Sequence, residues 1–271
     1  MKNNYSIGFP AGNYDTLLNS MSKTSVHSSK TSSIPLAEFW HPRNSALQKK
    51  LLHVVGMNDF DEADKIFEYA IPAYQKGYSG PTIQYSGPSM TDLMIIGSKH
   101  KITIEAKYTE YKKDAQPYHP SIGKWIDEHA ANNNLLPILN CWRQYIGIPR
   151  YNNIEEAKSD KDFPYQFLHR AASACFNSQD KERVLLYQLF YDSQTKDNLH
   201  EFESNLCMWA KQLELQNNGV RFIIAEIKVD EDKSPAIKSK KKAELFLDMI
   251  ASEQYKFLDI KCLDGYTLTE I

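Results

Sequence analysis

Between Pro88 and Lys107 the chain reads PSMTDLMIIGSKHKITIEAK, where charged residues stand at spacings able to do chemistry. Successive side chains of a strand face opposite ways. In KITIEAKYT (101–109), Thr103, Glu105 and Lys107 therefore share one face, and Ile102, Ile104 and Ala106 the other. The apolar set belongs to the core, which leaves a carboxylate and an ammonium side by side on the opposite face. TDLMIIG (91–97) reads as a second strand, and the turn Gly97-Ser98-Lys99-His100 joins the two into a hairpin. That hairpin brings Asp92 opposite roughly residue 105, so two carboxylates and a lysine converge on one small volume.

Such a set suits metal-assisted phosphodiester hydrolysis. Mg²⁺ takes oxygen ligands and keeps several waters, so one or two carboxylates suffice to hold it. Asp92 and Glu105 would be the ligands, joined by the carbonyl of Ala106, and the ion would lower the pKa of a water. Lys107 would orient that water and stabilise developing negative charge, as a point charge or as a proton carrier. The competing reading is a surface ion pair without chemical purpose. E-x-K recurs at Glu156-Ala157-Lys158, Glu226-Ile227-Lys228 and Glu231-Asp232-Lys233, but Glu105 differs from these in having an acid across a tight hairpin.

The elements that must position this hairpin follow from periodicity. RNSALQKKLLHVV (43–55) has apolar residues at helical spacing and stops at Gly56, and KIFEYAIP (65–72) is a strand ended by Pro72. YQKGYSGPTIQYSGPS (74–89) is a long loop or irregular hairpin. After the polar segment 111–121 come helices at about 122–131, 137–147 and 163–176, and then a buried strand at 183–192. A helix at 198–215, a strand at 219–229, a helix at 238–254 and an edge strand at 255–263 complete the chain. The expected architecture is α/β, a mixed central β-sheet flanked by helices, in a single domain over 34–271. Residues 1–33, of which SMSKTSVHSSKTSS (20–33) is Ser/Thr/Lys-rich and without apolar period, are expected to form a flexible tail.

P-S-x-T-D, an apolar run and then E-A-K resembles the active-site hairpin of the PD-(D/E)XK, or restriction-endonuclease-like, superfamily. Pro88, Asp92 and Glu105-Ala106-Lys107 are the matching positions. YQFLHRAASAC (165–175) is similar to a stretch found in a bacterial group of restriction-endonuclease-like proteins with the same hairpin. The resemblance spans roughly 36–215 and implies an αβββαβ core. It also implies Mg²⁺ dependence, with Mn²⁺ able to substitute, and cleavage of nucleic acid in restriction, defence or repair. Many superfamily members add a glutamate from the first core helix. Helix 43–55 has no acid; Gln48 stands there and Glu38 lies just before it.

Around the hairpin, Gln166, His169 and Arg170 share a helix face at i, i+3 and i+4, which suits phosphate contact by Arg170 and Gln166 as well as it suits helix crosslinking. Lys112 and Lys113 follow the catalytic strand and suit a DNA backbone, or a solvated loop. KSKKK (238–242) places cations against a helix macrodipole, which hints at phosphate but is also ordinary surface. Trp125, Trp142 and Trp209 read as core or interface.

Composition narrows the classes further. The 271 residues are 42% hydrophobic and 24% charged, which excludes a disordered or fibrous chain. A net charge of −2 and a pI near 6.5 show no global basic footprint, so any DNA site must concentrate its cations locally. Cys141, Cys175, Cys207 and Cys262 form no CxxC pair; they predict reduced, buried thiols and a cytoplasmic location. No apolar stretch or leader is long enough to address a membrane, and no P-loop, GxSxG, HExxH or GxGxxG occurs. The resulting expectation is a Mg²⁺-dependent endonuclease acting on DNA, plausible as a homodimer. The alternatives are an inert nucleic-acid-binding protein that keeps the fold, and a plain structural or interaction domain.

Overall fold

Strands that are apolar on both faces need a packed layer on each side, and the chain supplies two. The computed structural model describes residues 5–7, 14, 32–73, 89–110, 120–178, 180–231, 250–251 and 253–271. Along the chain come β1 (Tyr5–Ile7), α1 (Ser33–Phe39), α2 (Ser45–Val55), β2 (Asp64–Ile71), β3 (Ser89–Ile96) and β4 (His100–Lys107). Then follow α3 (Ile122–Glu128), α4 (Leu135–Ile146), α5 (Ile154–Ser159), α6 (Tyr165–Cys175), β5 (Glu182–Tyr191), α7 (Leu199–Gln212), β6 (Val220–Glu231) and β7 (Tyr255–Asp264). Among the described residues the seven strands form one mixed sheet, with spatial order equal to chain order.

β2, β3 and β4 make an antiparallel meander. β5 and β6 then add parallel to β4. Parallel neighbours require crossovers, which here carry α3 to α6 and then α7. β7 is an antiparallel edge, as expected. At the other edge lies a departure from expectation: Tyr5–Ile7, within the presumed tail, pairs parallel with Lys65–Phe67 of β2. An edge strand leaves backbone groups open, and a short Tyr-Ser-Ile segment is enough to take them. LAEFW contributes to α1, and the six-residue α5, too short to show a period, is capped by Asn153 Oδ1 accepting from the Glu156 N–H at 2.9 Å. The 74–88 loop and nearly all of the 238–254 helix, with its KSKKK run, lie outside the described residues.

On one sheet face Phe39, Trp40, Leu51 and Leu52 pack against Phe67, Leu93, Ile102, Ile104 and Leu186. On the other, Trp142, Phe167, Leu168 and Trp209 pack against Leu185, Tyr187, Leu189 and Phe222. Trp125 joins this second layer, so of the core and interface readings of the three tryptophans the core one holds. The four cysteines are free and buried, acting as small hydrophobes. Among the described residues no helix is long and apolar enough to cross a membrane.

The β3–β4 turn is held by a close approach: a Cβ on Gly97 would lie 2.5 Å from Met57 Cε and 2.8 Å from Asp59 Oδ2. At the other end of the first layer, Glu38 of α1 is fully buried and accepts the backbone N–H groups of Gln254 and Tyr255, each at 3.0 Å. Burial pushes its carboxyl from the ordinary 4.5 to about 7, against the opposing pull of these N–H groups and Arg43. The folded chain thus keeps a proton that the unfolded chain loses near pH 4.5. Stability should fall as pH climbs from about 4.5 to about 7, by an amount on the order of 2–3 kcal/mol. Urea unfolding of the wild type and Glu38→Gln between pH 5 and 8 measures this, because the variant should lose that part of the slope.

Candidate functional site

The hairpin register fixes the site. Ile96 pairs with Lys101, Ile95 with Ile102, Met94 with Thr103 and Leu93 with Ile104. One further step on the same line sets Asp92 level with Glu105, the opposition that alternation and turn length predict. The ladder ends there: the Ala106 N–H leaves it and donates to Oδ2 of Asp92 at 2.9 Å.

β4 is buried along its whole length, polar residues included, because α6 covers the face that carries them. Lys101, on this face, donates to the carbonyl oxygens of Ser173 and Phe176 and so ties the end of α6 down. Thr91 of β3 bonds Ser173 Oγ at 2.8 Å. These contacts bring Arg170 over the carboxylates. Its Nε donates to Oε2 of Glu105, its Nη2 lies 3.4 Å from Oδ1 of Asp92, and its Nη1 donates to the Met90 carbonyl. Oε1 of Glu105 accepts from Lys107 Nζ at 2.7 Å. The cluster is therefore no surface ion pair: Glu105 is fully buried, Lys107 and Arg170 are nearly so, and only Asp92 keeps a quarter of its side chain exposed.

Burial by itself would raise the Glu105 carboxyl, but Arg170 and Lys107 override it and hold the group at about 2. Asp92 goes the other way. Its burial, and the Glu105 charge beside it, outweigh Arg170 and Lys107 and lift it to about 7. Burial would lower the Lys107 amine, yet Glu105, Glu110 and Asp92 raise it, so it stands as an ammonium. Of the two roles open for Lys107, the arrangement favours the point charge.

Arg170 does not project outward to meet a phosphate, as sequence reasoning expected. A guanidinium next to two buried carboxylates gains more by neutralising them than by facing water. His169 Nδ1 lies 3.2 Å from Arg170 Nη1, which makes it a support for the guanidinium. Gln166, half-buried on the same helix, is not hydrogen-bonded into the cluster among the described residues. Lys112, Lys113 and Pro88 lie outside the described residues.

Glu68 is the residue that sequence reasoning missed. The β2–β3 pairs Phe67↔Leu93 and Tyr69↔Thr91 bracket it, so Glu68 stands level with Asp92. Its φ of 50° is unusual for a strand residue and breaks the alternation of β2: Phe67 packs in the first core layer and Tyr69 against the second. Its carboxyl is raised by burial and feels Arg170 and Glu105. The one signal in the sequence was an acid inside the apolar and aromatic IFEYAI run.

Over residues 11–253 the chain matches a family model described as a domain of unknown function, DUF6946. The chain belongs to that family. Neither a curated protein nor a solved structure matches it. The DUF6946 match takes in Glu68, Asp92, Glu105, Lys107 and Arg170, so the whole cluster lies within the family's own domain.

The donor set decides whether a cation fits this DUF6946 site. Among the described residues no three His, Cys, Asp or Glu groups gather closely enough to hold an ion, which leaves the Asp92–Glu105 pair. One guanidinium contacts both carboxylates, Glu105 through Nε and Asp92 through Nη2. Two carboxylates also match what Mg²⁺, with its retained waters, requires. Glu38 and Gln48 are committed elsewhere: Glu38 to the chain at 254–255, and Gln48 through Nε2 to the carbonyls of Phe39 and His41, 2.7 Å from each.

Proposed function

We propose that this chain is a divalent-metal-dependent endonuclease with a restriction-endonuclease-like core, hydrolysing DNA phosphodiester bonds. The observation that carries the reading is the level set by the β3–β4 register. It sets Asp92 level with Glu105, with Lys107 two residues on along the same strand face, which supports a shared cation. The order α2, β2, β3, β4, α6, β5 agrees with the helix–three strands–helix–strand pattern that the resemblance implies. The cluster also sits at the carboxyl end of β4, which lies parallel to β5 and β6, where open α/β sheets place ligands.

Asp92 and Glu105 would hold Mg²⁺ or Mn²⁺, with the Ala106 carbonyl as a further oxygen. When bound, the ion supplies Lewis acidity toward a phosphoryl oxygen and lowers the pKa of a water. Lys107, charged and anchored on Glu105, orients the attacking water and stabilises the negative charge that grows on the phosphoryl oxygens. The exposed edge of Asp92 is the side from which substrate would reach the pair. Duplex DNA is the proposed substrate class, in restriction, defence or repair within a cytoplasm, and a homodimer would let two sites cut two strands.

A second reading has one observation in its favour: Arg170 already neutralises both carboxylates, as it would in a protein that keeps the fold and binds without cutting. Plasmid DNA and RNA incubated with the purified chain, with and without Mg²⁺ or Mn²⁺, separate the two. Metal-dependent nicking that disappears in Asp92→Ala supports the nuclease. Nicking that persists in the variant, or none with either metal, overturns it.

A further inference from the structure

Three acids stand at one level on three adjacent strands. Glu68 is level with Asp92 across β2 and β3, and Asp92 with Glu105 across β3 and β4. Two cations answer them, Lys107 and Arg170. Glu105 engages both cations, and Asp92 engages Arg170. Glu68, half-buried and held at a φ of 50°, takes no hydrogen bond or ion pair among the described residues, although Arg170 is the cation whose charge it feels. A non-glycine residue at positive φ in a strand carries a backbone cost, which persists only where the surrounding packing over-determines it.

The arrangement poses a problem for any ion that enters. A divalent cation and a guanidinium cannot both occupy the space between Asp92 and Glu105 without strong repulsion. Arg170 must leave, and a displaced buried guanidinium needs another anion, because a buried unpaired charge is heavily penalised. We infer that Arg170 is the resident counter-ion of the Asp92–Glu105 pair, exchanged for the divalent ion on loading, and that Glu68 is the carboxylate that receives the displaced guanidinium. Both are positioning residues that set the affinity of the site without ligating the ion. His169, beside Nη1, and the Met90 carbonyl keep the guanidinium near the pair in either position. The inference rests on the metal-dependent reading above.

Exchange predicts effects of opposite sign, which a merely structural role would not give. Mn²⁺ is titrated calorimetrically into the full-length wild type, Arg170→Gln, Arg170→Lys and Glu68→Gln, and the metal-dependent shift in melting temperature is read on the same samples. Arg170→Gln removes the competitor and should bind Mn²⁺ about tenfold or more tightly than wild type, with a larger metal-dependent shift. Arg170→Lys, which keeps the charge but loses the fork, should show a smaller gain and covers the case in which Arg170→Gln does not fold. Glu68→Gln removes the receiver and should weaken Mn²⁺ binding by about fivefold or more. If wild type binds Mn²⁺ and all variants match it, or Arg170 and Glu68 variants shift in the same direction, exchange is overturned while the nuclease reading stands. If neither wild type nor any Arg170 variant binds Mn²⁺, both fall.

Discussion

Glu105→Ala is expected to lose about 3–5 kcal/mol of folding stability, a large share of what a domain of this size holds. The side chain is fully buried and faces two cations at once, Lys107 on one oxygen and Arg170 on the other. Removing it leaves the Lys107 ammonium and the Arg170 guanidinium buried without the carboxylate that bonds both, and neither Asp92 nor the more distant Glu110 and Glu68 replaces those contacts. Guanidinium chloride unfolding at neutral pH measures the loss; a loss below about 1 kcal/mol would show that the cluster is wetter and weaker than its burial implies. The acid limb tests the same contact. Glu105 is held at about 2 in the folded chain, well below its ordinary 4.5, so it stabilises above pH 4.5 and that contribution drains away as pH falls toward about 2. Glu38 has the opposite sign, being raised, so the two carboxylates bracket a stability maximum on the acid side of neutrality.

The second large effect is on chemistry. Lys107→Met should lower the turnover of metal-dependent DNA cleavage by about 10²–10³, the usual cost of losing a fixed charge aimed at developing negative charge. KM for DNA should change little, because Lys107 would meet the water and not the substrate backbone, while Mn²⁺ affinity should hold or rise, because a cation leaves Glu105. Lys107→Arg should not restore turnover, since a planar fork cannot take the place of a compact ammonium next to Glu105. Single-turnover cleavage at saturating Mn²⁺ provides the measurement. An equal loss in turnover and Mn²⁺ affinity would make Lys107 a support for Glu105 alone.

Much of the hairpin was legible because its signals are local. Alternation put Ile102, Ile104 and Ala106 in one core layer and Glu105 with Lys107 on the other face, and the short turn set the partner of residue 105 to within a residue. Glu68 escaped for the converse reason. Alternation assumes a regular pleat, and the positive φ at Glu68 breaks the pleat at the level of the acids, so Phe67 and Tyr69 pack in different layers. The strand at the sheet's other edge escaped as well, because three residues carry too little pattern to announce β1.

Taken alone, the sequence determined the order of β2 to β7 and the convergence of Asp92, Glu105 and Lys107, since periods of 2 and 3.6 residues encode which way neighbouring side chains point. Only the tertiary structure decided what meets that triad. Arg170 lies 65 residues beyond Glu105, on a helix whose seat over β4 depends on crossover packing and on Lys101 anchoring its end. A local pattern can show that Arg170 shares a face with Gln166, but not that the face turns inward. Burial settles that, because two carboxylates desolvated beneath a helix bind the nearest guanidinium more strongly than water can retain it.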